Sequence, residues 1–343
     1  MEVGDICKGE AYESTHLVGS LDLRPVVSAT SPMSSQSQPL PNVLTARRCS
    51  FAYGTPPHIN RLHFNVSFPD VESLVDPETG CTGRERAAEA FIALCNLTEI
   101  LGKMLDHLYD LSINDTAVEA TTKSYRRIEI SIYDWEEALP SALRSQVAGT
   151  RDLSIKGAAN LRLCFLSTKF LLQKMQFDST CQDQSSPPEA VSVNRKATQK
   201  VAKEIADFVT KLRPLDLGDF WLPMGAFLLS SAATFLLRCV LDNLNDSSGG
   251  EGTSALHEAS RMIDALKSHR DGFGWDLGDV CLAQCEPLVH RVSQAFESQN
   301  MTSSGVDLAD QDPLEGMGID AFGELMPSIW DTFDFDLGTF QNF

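Results

Sequence analysis

Residues 220–237 form an eighteen-residue run without a single charged side chain, bracketed by Asp219 and Arg238. Such a run has two homes, a lipid bilayer or the centre of a folded domain, because exposing it to water forfeits its burial energy. Pro223 sets its start at a first helical turn. That leaves about fifteen residues before Arg238, roughly 22 Å of helix against the ~30 Å of a hydrocarbon core. Ser230, Ser231 and Thr234 dilute it further. The expectation is a buried core helix over 223–244 and no membrane span, with Trp221, Pro223, Leu237 and Cys239 as structural core.

The rest of the body repeats apolar residues at three- and four-residue steps, the period of an amphipathic helix. Over 84–111, Phe91, Leu94, Thr98, Leu101, Leu105 and Leu108 form a seam that Ile92, Cys95, Met104 and Tyr109 widen. A helix over 120–138 should end before Pro140, which cannot continue it. Over 157–176 the face is Leu161, Cys164, Phe165, Thr168, Leu171, Leu172 and Met175. Over 194–212, Val201, Ile205, Phe208, Val209 and Leu212 point inward, and Arg195, Lys196, Lys200 and Lys203 make a solvated outer face. Helices over 254–269 and 276–296 follow, the second containing Pro287. Linkers are expected over 177–193 and 245–253, where Ser, Gly and Pro gather. No stretch alternates long enough for a sheet, so the fold class is all-α. Residues 1–50 read as a disordered, low-pattern segment, 51–297 as the helical domain, and 298–343 as a tail.

Charge is distributed unevenly. The chain carries a formal −19, and from Val292 onward there are ten acids and no Lys or Arg. The remaining −9, with no dense basic stripe, argues against nucleic-acid binding by this chain's own surface. Nine scattered cysteines, several in apolar surroundings, read as reduced thiols packed as small hydrophobes. The first residues lack the apolar run of a signal peptide.

Catalytic and metal signatures fail at identifiable residues. His257-Glu258 lacks the second histidine of a HExxH zinc site, and Gly272-Phe273-Gly274 lacks the third glycine and the strand of a phosphate loop. Cys281 and Cys285 lie one helical turn apart, but His290 falls roughly 140° around the helix from Cys285, off their face. The expectation is no enzyme, no cofactor and no metal.

The tail has a different character. Between 307 and 343 nine acids are interleaved with fourteen large apolar residues. That is the composition of an amphipathic activation segment, whose acids keep its aromatics hydrated until a partner groove takes them up. Ser328 can cap a short helix that places Ile329, Trp330, Phe333 and Leu337 on one face. With Phe322, Leu325 and Phe335 they are the candidate contacts to a coactivator or mediator-type protein.

Several short elements, in order along the chain, resemble the regulatory half of fungal zinc binuclear cluster transcription factors, the helical middle homology region followed by an acidic tail. They are Gly54-Thr55-Pro56-Pro57-His58-Ile59, Leu97-Thr98-Glu99-Ile100-Leu101-Gly102, and Trp135 through Leu139-Pro140. Asp219-Phe220-Trp221-Leu222-Pro223 leading into Ser230-Ser231-Ala232-Ala233-Thr234-Phe235-Leu236-Leu237-Arg238-Cys239 is the clearest, and Trp275-Asp276-Leu277 with Gln284-Cys285-Glu286 completes the series. The resemblance implies a nuclear transcription regulator, chiefly an activator, of a metabolic or secondary-metabolism gene cluster, with homo- or heterodimerisation among related factors. The sequence departs from the family in one respect. Residues 1–50 hold only Cys7 and Cys49 where the family has six cysteines and two zinc ions. The family zinc therefore carries over to no residue, part of the first helical half is missing, and direct DNA binding is not expected. The alternative expectation is a truncated partner that pairs with full-length factors without binding DNA, and a helical receptor with a ligand pocket beside Trp221 is a third.

Overall fold

The three- and four-residue apolar spacing is realised as helix after helix. A computed structural model describes residues 47, 50, 68–75, 82–108, 118–183, 185–245 and 249–302. Among the described residues there is no strand, and the fold is all-α. The helices are α1 (Val71–Leu74), α2 (Thr82–Leu108), α3 (Val118–Ala138), α4 (Ser141–Val147), α5 (Ala158–Gln182), α6 (Pro188–Thr210), α7 (Pro214–Leu217), α8 (Gly225–Asn245), α9 (Gly249–Phe273) and α10 (Asp279–Thr302). A 3-10 turn, Asp276–Gly278, separates the last two.

Helix α5 organises the packing because it is apolar around nearly its whole circumference. The face expected from the sequence, Leu161, Cys164, Phe165, Leu171, Leu172 and Met175, packs into one cluster with α2, α3 and α4. A second face, Leu163, Leu166, Phe170 and Phe177, packs into another cluster with α6, α8, α9 and α10. A helix buried on two sides needs this all-round pattern. The charge-free helix α8 lies in the second cluster. Leu228, Leu229, Leu236 and Leu237 are within 1 % of complete burial, and 72 % of its Gly225–Asp242 window is covered by the rest of the protein. Its apolar run is thus satisfied by protein, each large side chain contributing roughly 1.5–3 kcal/mol.

Several boundaries differ from the sequence expectation, each for a local reason. Pro140 does end α3, yet it also serves as the N-cap of α4, where its missing N–H costs nothing. The linker expected over 177–193 is mostly helical. Helix α5 runs on to Gln182, and Pro188 occupies the first turn of α6, so a helix starts at a proline inside the expected linker. Asp183 makes the tight joint, its carboxylate accepting from Ser185 N at 2.9 Å and from Ser186 Oγ at 2.9 Å. Helix α9 begins at Gly249, inside the expected 245–253 loop, and α10 extends past 296 with Pro287 inside it. Arg47, assigned to the disordered 1–50 segment, is 5 % exposed and pairs with Glu99 of α2 at 2.9 Å. The helical body therefore reaches back at least to Arg47.

Candidate functional site

The segment from Asp219 to Pro223 carries the most specific sequence pattern and no regular secondary structure, so side chains must hold it. Two clips do so, both to the start of α5. Gly157 caps that helix at φ 83°, a conformation that favours glycine, and its N–H donates to Asp219 Oδ2 at 2.6 Å. One turn on, the buried Asn160 accepts from the Leu222 N–H through Oδ1 at 3.1 Å. The strap is thereby fixed over sixty residues of intervening chain, and α8 is launched from it at a set angle. Gly225 N then donates to Leu222 O at 2.9 Å.

Trp221 projects from this strap into an aromatic junction. Its ring meets Trp275 edge-on at 5.2 Å and Phe208 at 6.3 Å, and its indole N–H donates to Leu217 O at 3.3 Å. Trp275 in turn meets His269 edge-on at 5.8 Å. His269 lies 2.9 Å from Val209 O through Nε2, which fixes that nitrogen as the donor. Beside them the Arg162 guanidinium lies 5.2 Å from the centre of the Phe208 ring. Burial pushes the Arg162 pKa down, opposed by the charges of Glu204 and Asp207. Gly149, at φ 77°, leaves the space that this guanidinium fills, since a Cβ there would clash with it.

The four expected core residues part company here. Leu237 and Cys239 are buried at 0 % and 1 % exposure, Trp221 is half-buried against the second cluster, and Pro223 is exposed. Pro223 sits in the turn before Gly225 and offers its carbonyl to Ala226 N at 3.1 Å, so it shapes the entry to α8 without being core. A cavity between the start of α5 and the entry to α8, lined by Asn160, Leu163, Cys164, Ser167, Leu222, Met224 and Gly225 and not by Trp221, has a volume of about 10 Å³. That is room for about one water molecule, not for an organic effector.

Cys281 and Cys285 are buried side by side. Cys285 lies 3.7 Å from Thr234 Oγ1, and its thiol faces Ser230 O at 3.9 Å. The hydrogen bond to Cys285, together with burial, holds the Cys281 thiol well above its usual pKa. His290, the third residue weighed with them, is exposed and bonds Gln294 at 3.0 Å. Among the described residues no group of three or more His, Cys, Asp and Glu is placed to hold a metal ion.

Electrostatics that sequence reading missed gather on α6 and α9. Glu258, whose side chain is 8 % exposed, pairs with Lys203 at 2.8 Å and with Arg261, which also pairs with Asp207. The outer basic row expected on α6 is thus partly neutralised across the helix interface. The i, i+3 relation of Glu258 to Arg261 was legible, but not the partners from α6. Phe322, Leu325, Ile329, Trp330, Phe333, Phe335 and Leu337 lie outside the described residues. Set against protein-family models, curated proteins and solved structures, the chain matches none.

Proposed function

We infer that this protein is a transcription regulator of fungal type, chiefly an activator, in which the helical body is a partner-binding scaffold and the tail recruits coactivator surfaces in the nucleus. The observation that carries this reading is the tail itself. Between 307 and 343 nine acids and no bases are interleaved with fourteen large apolar residues. A solvated acidic end has no use for aromatics at that density, whereas a shallow partner groove takes two or three of them, each worth roughly 1–3 kcal/mol. The ordered series of short elements that resembles the zinc-cluster regulators supports the same reading. A metabolic or secondary-metabolism gene cluster is the proposed target class.

The second reading, a partner that pairs with full-length factors and leaves DNA contact to them, is favoured by the formal charge of −9 outside the tail and the lack of a dense basic stripe. One experiment separates the two. Residues 307–343 fused to an unrelated DNA-binding domain should activate a reporter, and Trp330→Ala with Phe333→Ala should remove most of that activity while leaving every acid in place. Activity that survives the double substitution would sink the groove-filling mechanism. A silent tail combined with retained pairing would favour the second reading.

A further inference from the structure

Helix α3 carries large apolar side chains on both of its faces. Ile128, Ile132 and Trp135 are buried against α2 and α5, at 6 to 7 % exposure. On the opposite side Ile130 is 50 % and Tyr133 63 % exposed, and their three-residue spacing places them as neighbours on one seam of the face turned away from the core. Arg126 and Glu137 continue that seam, four residues to either side of the pair. Charge is sorted along the helix around it. From Lys123 on, the bases Lys123, Arg126 and Arg127 precede the pair and the acids Asp134, Glu136 and Glu137 follow it, with Glu129 between them on the flank and Glu119 in the first turn of the helix.

We propose that this face of α3 is a two-fold dimer interface with a second copy of the chain, the two α3 helices running antiparallel. In antiparallel helices the positions that face each other add to a constant. The register that sets Ile130 against Tyr133 of the second copy therefore also sets Arg126 against Glu137 of the second copy, and by symmetry the reverse. The face is self-complementary in both apolar contact and charge, as an isologous interface has to be. A parallel pairing would instead oppose Arg126 to Arg126 and Glu137 to Glu137. Glu137 already pairs with Arg144 of its own chain at 3.0 Å, with both groups half in solvent. One carboxylate accommodates both guanidinium groups, since it has about four lone-pair sites. A contact built around one helix face lies at the small end of specific interfaces, so dissociation in the micromolar range is expected. The inference is independent of the transcriptional reading, because association is measured without any reporter.

Sedimentation velocity of the purified full chain over a concentration series tests it. The wild-type chain should show a reversible monomer–dimer equilibrium. Arg126→Glu and Glu137→Arg should each weaken it by about tenfold or more, the size expected for opposing like charges across a contact. Mixing the two variants should restore dimerisation, because both contacts then join Glu to Arg between different copies. Restoration also excludes misfolding of either variant as the cause of its weakening. Tyr133→Glu should weaken association without rescue by either partner. A wild-type chain that stays monomeric overturns the proposal, and so does a dimer indifferent to these substitutions. Failure of the mixture to recover overturns the antiparallel register. A monomer whose α3 outer face is nonetheless protected by the acidic tail would assign the face to that segment and overturn the proposal as well.

Discussion

Trp135 of α3 donates its indole N–H to the backbone carbonyl of Ala93 on α2 at 3.0 Å, across forty-two positions of sequence. The same ring stacks on Phe165 of α5 at 5.4 Å. One side chain therefore ties three helices together, by a directional bond to one and by area to another. Trp135→Phe keeps most of the ring and removes the donor, and should cost about 1–2 kcal/mol in urea unfolding. Trp135→Ala should cost about 3–5 kcal/mol, as large aromatic truncations do. Equal effects of the two variants would show that the hydrogen bond contributes nothing.

The entry to α8 should be intolerant of small additions. A Cβ on Gly225 would stand 2.9 Å from Leu163 Cδ2 and 3.2 Å from Leu277 Cδ2. Both neighbours belong to the packed second cluster. The strain, about 1–3 kcal/mol, should exceed the helix-propensity gain of at most about 1 kcal/mol. Gly225→Ala is thus expected to lower the thermal midpoint, where propensity alone would raise it. Leu237→Ala, at a position with no exposure, should lower stability by roughly 2–5 kcal/mol. An unchanged midpoint for Leu237→Ala would remove α8 from the core.

Alkaline pH should expose the contact between α2 and α3. Burial raises the pKa of Tyr125, whose ring meets His107 edge-on at 5.3 Å; Ser179 opposes the rise and Asp178 adds to it. The folded state thus holds the phenol proton more tightly than the unfolded chain does. Its contribution is complete below the unfolded pKa of about 10 and is lost as pH climbs through the higher folded value. Tyr125→Phe should flatten that part of the stability profile above pH ~10. A profile of the same slope in the variant would count against this burial.

Thiol chemistry should separate the described cysteines by access. Cys181 is exposed, although burial of part of its surface and the charge of Asp178 raise its pKa. Cys95, Cys164, Cys239, Cys281 and Cys285 are buried. Limited alkylation followed by mass spectrometry should label Cys181 first among these six, with Cys281 and Cys285 labelled only as the chain unfolds. Early labelling of Cys285 would contradict the packing of α8 against α10.

Periodicity by itself determined that the body is helical, and it identified the inward residues of α2, α5 and α6. Leu94, Leu101, Leu105, Val201, Ile205 and Phe208 all lie inside, because apolar spacing and burial are two expressions of one requirement. The tail's alternation of acid and aromatic likewise needed no structure to be seen. Tertiary structure decided what local pattern cannot encode. The second buried face of α5 depends on having neighbours on both sides. Whether Pro140 and Pro188 end a helix or begin one depends on which backbone donors are already unsatisfied. The clips from Asp219 to Gly157 and from Asn160 to Leu222 join positions some sixty residues apart, as does the bond from His269 to Val209. A single chain without its fold contains no measure of such distances. The exposure of Ile130 and Tyr133 was invisible for the same reason: an apolar residue on a helix announces that it seeks a partner, and only packing shows which ones the body has left without one.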